Sequence, residues 1–294
     1  MPVTAGNALE LAHDPLWRNY DGGQLLDLGL PSNLKPRVSV VSYLNTAPLV
    51  WGMLHGPQRG LFDLERALPA ECADRLRDGR ADIGIVPSIE LSRQQLDIIP
   101  GCGIACRAEV RSILLISKVP FPEIRTLATD SSSRTSVELS RIVLARKYGA
   151  NPTLFAQPPH LGTMLEHSDA ALIIGDAALV LNPPDLPFHV ADLALEWTEM
   201  TSLPMVFAVW AARVGFPKQD PAPFAESLRF GIVHIDDIVR EEHPKLGISA
   251  DLARDYLTRN ITFELGDREY SGLTTFLQYA SELKTQPETR KVTA

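Results

Sequence analysis

The side chains best suited to act on a small molecule in this sequence are amides and hydroxyls rather than metal ligands or evident bases. Asn45 stands in residues 37–48, RVSVVSYLNTAP, just past a β-branched run with the alternation of a buried strand. Thr46 is positioned to cap a helix that Ala47 and Pro48 begin. A strand that turns into a helix N-terminus puts polar groups at the carboxyl edge of a sheet, where ligands of open α/β sheets gather. There Asn45 offers one acceptor and two donors. Ser112 opens a strongly apolar segment, residues 112–117, expected to form a crossover strand between two lobes. A lone serine is commonly a solvated or locally bonded hydroxyl. No Gly-x-Ser-x-Gly elbow surrounds Ser112, so acyl-enzyme chemistry is not indicated. Ser88, in Val86-Pro87-Ser88-Ile89-Glu90, is a third hydroxyl at a strand end and equally a candidate cap for the next helix.

Residues 131–137, SSSRTSV, follow a strand and open a long helix. Early-helix N–H groups, the helix dipole and the hydroxyls of Ser133, Thr135 and Ser136 then face one small volume and would suit an anion. A plainly capped helix looks the same. Arg134 either joins that site or turns to solvent, and the three hydroxyls carry the anion-binding assignment in both cases. Asp176, after an apolar stretch, can orient substrate at a cleft edge, serve as a helix N-cap, or do both.

Other chemistries find no support. The histidines lack His-Glu-x-x-His spacing, and Cys102 and Cys106 have neither a second pair nor a nearby histidine, so a metal site is not expected. No Gly-x-Gly-x-x-Gly or Walker sequence follows a strand. An aromatic content of 7% without a basic patch argues against nucleic acid.

These residues need a frame to bring them together. Residues 37–88 alternate β-α-β-α-β, which predicts right-handed parallel units. After the crossover strand the alternation repeats through strands near 126–129, 153–156 and 170–174 and helices at 134–148, 160–167 and 176–181. Residues 205–211 form a long buried strand that returns the chain to the first lobe, and helices follow at 224–243, 249–259 and 267–283. The expected fold is α/β, in the two-lobed, type II layout of periplasmic-binding-protein-like proteins, with a ligand cleft between the lobes. Lobe 1 is expected from residues 37–116 and 206–294, lobe 2 from 117–205, and residues 1–36 as an extension of no assigned role. The chain, 294 residues with net charge −8, supplies no global field for an anion, so an anionic ligand must be held by local groups. Three cysteines, Cys72, Cys102 and Cys106, suggest a reducing compartment rather than a disulfide scaffold. Neither a secretory signal nor an apolar run of membrane-spanning length is evident, so a cytoplasmic protein without a membrane partner is expected.

Tyr43-Leu44-Asn45-Thr46-Ala47-Pro48-Leu49 resembles the opening motif of the chorismate dehydratases of the futalosine route to menaquinone. Four further segments agree in order: Asp82-Ile83-Gly84, residues 131–137, Ile174-Gly175-Asp176-Ala177-Ala178-Leu179, and Pro204-Met205-Val206-Phe207-Ala208-Val209-Trp210-Ala211. The resemblance runs from about residue 37 to near the C-terminus. It implies a hydro-lyase that removes the C4 hydroxyl and C3 proton of chorismate, giving 3-[(1-carboxyvinyl)oxy]benzoate. Aromatisation drives that reaction, so the resemblance implies no cofactor and no metal. It also implies a dicarboxylate held between the lobes by the Ser133–Ser136 region, with Asn45 and Ser112 facing the substrate and assisting loss of hydroxide. The substrate's own enolpyruvyl carboxylate would take the proton. A non-catalytic small-anion binding or sensing protein shares the architecture, but would need a signal peptide or a DNA-binding segment. The related 1,4-dihydroxy-6-naphthoate synthase also shares the fold, and Tyr-Leu-Asn-Thr-Ala-Pro favours the dehydratase.

Overall fold

The computed structural model describes residues 35–130 and 132–285; nearly all of the expected N-terminal extension lies outside them. The first strand, β1 (Arg37–Val41), pairs in parallel with β2 (Asp63–Ala67) on one side and β3 (Ile83–Pro87) on the other. Helices α1 (Ala47–His55) and α2 (Pro69–Arg77) make the connections. Being central, β1 buries every residue after Arg37, and β3 buries all of its residues, hence their continuous apolar character. At the sheet edge β2 is the exception. It carries Asp63, Glu65 and Arg66 to solvent, the charged surface that keeps an edge from pairing with another chain.

The chain then runs through β4 (Leu96–Cys106), leaves this sheet, and enters β5 (Ile113–Ser117). The second sheet adds β6 (Thr126–Asp130), α3 (Arg134–Tyr148), β7 (Thr153–Gln157), α4 (Leu161–His167), β8 (Ala170–Ile174), α5 (Asp176–Leu179), β9 (His189–Asp192) and α6 (Leu193–Thr201). Its strand order is β7-β6-β8-β5-β9. Here β6, β7 and β8 are parallel and β5 runs antiparallel to β8. Ile113–Ser117, expected in the first lobe, therefore belongs to the second sheet. The chain crosses between residues 107 and 112, with Ser112 at the junction itself.

β10 (Met205–Arg213) brings the chain back and inserts antiparallel between β3 and β4. Then come α7 (Ala222–Val233), α8 (Ile235–Leu246), α9 (Ala250–Asp255), a π-helical turn at Tyr256–Asn260, β11 (Thr262–Glu264) and α10 (Asp267–Thr285). The first sheet has the order β11-β4-β10-β3-β1-β2. The single helix expected over 224–243 is divided at His234, whose ψ of 27° ends α7. The helix expected to 259 loosens after Asp255 into the π turn.

Two packing features hold the first strand-to-helix junction in place. A Cβ at Gly231 of α7 would lie 2.1 Å from the Pro48 carbonyl oxygen, so only glycine permits α7 to lie this close to α1. Beside it, Ser227 donates to the Leu49 carbonyl at 2.8 Å and accepts from the Met53 N–H at 3.2 Å. At the other end of the strand, Asp82 accepts from the Arg37 N–H at 3.0 Å and from the Arg37 and Arg213 guanidinium groups. The Asp82-Ile83-Gly84 segment therefore ties β1, β3 and β10 together, on the side away from the Asn45 turn. Among the described residues no helix is long and apolar enough to cross a membrane.

Candidate active site

Between the two sheets lies a cavity that encloses about 480 Å³ when the solvent at its mouth is counted. Tyr43 and Asn45 reach it from the β1–α1 turn, Ser112 from the crossing segment, Ser133 and Ser136 from the start of α3, and Gly175 from the end of β8. Aliphatic and aromatic residues, among them Val41, Ile104 and Phe207, complete the wall. Asn45 and Ser112, far apart in the chain, thus meet in one cavity with two of the four nominated residues from 133–136. Among the described residues none that lines it is charged at neutral pH.

Asn45 and Ser112 are joined through a residue that sequence reasoning did not nominate. The Asn45 side-chain amide donates to the Tyr256 hydroxyl at 3.0 Å, and that hydroxyl donates to Ser112 Oγ at 2.9 Å. Tyr256 is 1% exposed and Ser112 2%. Burial, with the Asp176 charge nearby, pushes the Tyr256 phenol well above its ordinary value, so it stays protonated. Asn45 Oδ1 is buried without a hydrogen-bond partner. It is an acceptor held at the cavity at a free-energy cost, the kind of group a ligand would satisfy.

The start of α3 divides its residues between two tasks. Ser133 is the N-cap: its Oγ accepts from the Ser136 N–H at 3.4 Å and lies 2.9 Å from Ser136 Oγ. Both hydroxyls line the cavity. Thr135, nominated with them, points elsewhere. Its Oγ1 accepts from the buried Ile89 N–H at 3.2 Å, which binds the two halves of the molecule together. Arg134 also leaves the cavity. Its guanidinium takes both oxygens of Asp74 at 2.9 Å and Glu90 at 3.3 Å. The structure thus corrects both expectations for Arg134, for it faces neither an anion site nor open solvent. Two carboxylates of the first half hold it.

Ser88 begins a 3₁₀ turn and caps nothing; the capping position is Pro87. Its Oγ is buried and unpartnered, and it lies outside the cavity wall, to which Pro87 contributes. Thr46 occupies the N-cap position of α1, as expected, but it closes a 3₁₀ turn, Leu44–Thr46, and its side chain makes no capping bond. Asp176 follows the capping residue, Gly175, rather than being it. Its carboxylate accepts from the Leu44 N–H at 3.1 Å, and burial pushes its pKa up to about 6. The Asp176 charge therefore lies behind the first motif, not in the cavity wall.

Tyr43 is the other lining group not nominated. Its hydroxyl lies 2.8 Å from Ser132 Oγ, across the cleft, and burial pushes its pKa up to about 12. Gly175 has φ 62° and ψ −143°, a region open only to glycine. A Cβ there would lie 2.9 Å from the Tyr43 ring. That glycine lets β8 come up against Tyr43 and close one wall. The quoted motifs included Tyr43 and Gly175, so a local signal existed; Tyr256 has none, since a tyrosine in an amphipathic C-terminal helix reads as core.

Two mixed sheets with a cleft between them define the periplasmic-binding-protein fold, and solved structures agree. The chain is similar to a protein of Archaeoglobus fulgidus (TM-score 0.68, 14% identity, 87% of this chain and 100% of that one). It is also similar to the periplasmic aliphatic sulphonate binding protein of Escherichia coli (TM-score 0.58, 16% identity, 87% and 95%). A Candida albicans protein described as having the generic periplasmic binding protein fold is comparable (TM-score 0.57, 13% identity, 88% and 92%). At such identities the likeness concerns the fold alone. Sequence goes further. The profile of a family described as menaquinone biosynthesis matches residues 36–282, and the chain belongs to that family. A chorismate dehydratase of Thermus thermophilus is 30% identical, over 80% of this chain and 92% of the relative.

Proposed function

We propose that this chain dehydrates chorismate to 3-[(1-carboxyvinyl)oxy]benzoate as a hydro-lyase of menaquinone biosynthesis. The observation that carries the reading is the cavity where Asn45 and Ser112 meet, joined through Tyr256, in a chain of the family that includes the Thermus enzyme. Chorismate brings two carboxylates and one hydroxyl into a cavity whose described residues include no cationic side chain. The Ser133 and Ser136 hydroxyls, with the N-terminus of α3 behind them, are suited to receive one carboxylate. Ser112 and Asn45 are suited to grip the C4 hydroxyl.

In the reaction the C3–H bond breaks and its electron pair forms the new ring double bond as the C4–O bond breaks. The C3 proton ends in the water released. Since the described residues of the wall offer no carboxylate, imidazole or amine to take that proton, the enolpyruvyl carboxylate of the substrate is the base within reach. A cavity without a cation leaves that carboxylate unpaired and therefore basic. A donor aimed at the departing oxygen, as Ser112 can supply, stabilises charge that exists only in the transition state.

Two lobes belong to this reading, one built on each sheet, with the cleft as the reaction chamber. A dicarboxylate intermediate is available where it is made, which places the enzyme in the cytoplasm. The test is to incubate purified protein with chorismate and follow the aromatic product by chromatography with ultraviolet detection. Binding without product at any concentration would leave a small-anion binding protein of the same fold, and loss of the C4 hydroxyl with formation of the benzoate is the expected result.

A further inference from the structure

We infer that Tyr256 is a positioning residue that sets the direction of the hydrogen bonds in the cavity, so that Ser112 presents a donor and Asn45 an acceptor to one substrate hydroxyl. The inference rests on the dehydratase reading and adds a group to it. A phenol has one hydrogen to donate and lone pairs to accept. Tyr256 accepts from the Asn45 amide nitrogen at 3.0 Å and gives its hydrogen to Ser112 Oγ at 2.9 Å. With that hydrogen on the line between the two oxygens, the hydrogen of Ser112 must point away from Tyr256. Ser112 lines the cavity, so the open direction is toward ligand. The Asn45 amide, anchored by its nitrogen, cannot turn without losing that bond. Its Oδ1 therefore stays an acceptor, and it is buried without a partner.

A donor beside an acceptor is the complement of an alcohol, which both accepts and donates. A carboxylate, which only accepts, fits it poorly. The same arrangement thus tells the hydroxyl end of the substrate from its acid ends. Tyr256 does not line the cavity and is 1% exposed, so it acts through its two neighbours. Its place at the head of the π turn Tyr256–Asn260 is in keeping, since such turns interrupt helices preferentially at functional sites.

The test compares turnover at saturating chorismate with chorismate affinity in wild type, Tyr256→Phe, Ser112→Ala and the double variant. Removing one oxygen while keeping the ring should lower turnover about 10- to 100-fold with affinity within about threefold of wild type. In the Ser112→Ala background the second change should cost less than about threefold, because residues acting as a unit are not additive. Full multiplication of the two effects, or wild-type turnover in Tyr256→Phe, overturns the inference and leaves the dehydratase reading standing. No product from the wild type overturns the reading itself. Should Tyr256→Phe not fold, 3-fluorotyrosine placed at 256 keeps the ring and the bonds and makes the phenol a stronger donor. A shift in turnover of about twofold or more at unchanged affinity supports the inference, and identical turnover overturns it.

Discussion

Thr135 and Ser136 are adjacent in the chain and have different roles, because successive helical residues point about a quarter-turn apart. Ser136 faces the cavity, whereas Thr135 satisfies the Ile89 N–H. Thr135→Val is therefore expected to act on stability. It leaves a buried donor unpaired, at a cost of about 1–3 kcal/mol, read as a lower urea midpoint with chorismate affinity little changed. Wild-type stability with weakened binding would return Thr135 to the substrate site. For Asn45→Ala and Ser112→Ala the expectation is the reverse. If their contacts tighten in the transition state, turnover falls about 10²–10³-fold while affinity changes far less. Single-turnover rates at saturating chorismate decide it, and equal rates for wild type and both variants would show that the pair is misassigned. That Asn45, Ser133 and Ser136 would come to the cavity wall was legible because strand ends and helix starts are locally encoded, whereas Ser112 stood out only through the family resemblance. The sequence pattern did not distinguish Thr135, Arg134 or Ser88, whose partners Ile89, Asp74 and Glu90, or lack of one, depend on how the halves meet.

The β8-to-α5 connection shows how a short segment can serve both closure and stability. Gly175 carries the chain past Tyr43, and Asp176 then accepts from Leu44 in the opposite half. The Asp176 carboxyl titrates at about 6 in the folded protein, against about 3.9 in an unfolded chain. A folded pKa raised above the unfolded one means that the native state binds the proton more tightly. Ionising Asp176 therefore costs stability, with none of the cost present below about pH 4 and all of it above about pH 6. Asp176→Asn keeps an acceptor for Leu44 and removes the charge. It should raise unfolding free energy by about 1–2 kcal/mol at pH 8 and by nearly nothing at pH 4. Urea unfolding at the two pH values measures this, and an equal effect at both would refute it. Such local segments were largely readable: the 134–148 helix ends at Gly149, φ 68°, as its sequence predicts. The break at His234 and the π turn were not, because they answer to packing against other parts of the chain rather than to capping residues.

Beyond sequential strands, topology was legible only in part: the return of residues 205–211 to the first sheet was read, its place in that sheet was not. The parallel run β2-β1-β3 follows from β-α-β alternation, but β10 entering antiparallel between β3 and β4, and β5 joining the second sheet, depend on pairings between residues far apart in the chain, such as Ala212 with Ile83 and Ile113 with Ile174. Direct hydrogen bonds then join the two halves beside the cavity. Tyr43 meets Ser132, the Ala70 N–H donates to the Ser132 carbonyl at 3.0 Å, and Arg134 holds Asp74. A dianion approaching a protein of net charge −8, with Asp130 in the adjoining groove and no cation among the described residues of the cavity wall, meets repulsion rather than steering. Screening shortens from about 30 Å at 10 mM salt to about 8 Å at 150 mM. Salt should also loosen the partly exposed Arg134–Asp74 pair that helps hold the cleft shut. Both effects have the same sign, so the chorismate association rate should rise roughly twofold or more between those salt concentrations. Stopped-flow binding at the two ionic strengths measures it. A rate that falls with salt would mean that cations outside the cavity draw the substrate in, and that the hydroxyls of Ser133 and Ser136 are not left to hold its carboxylate unaided.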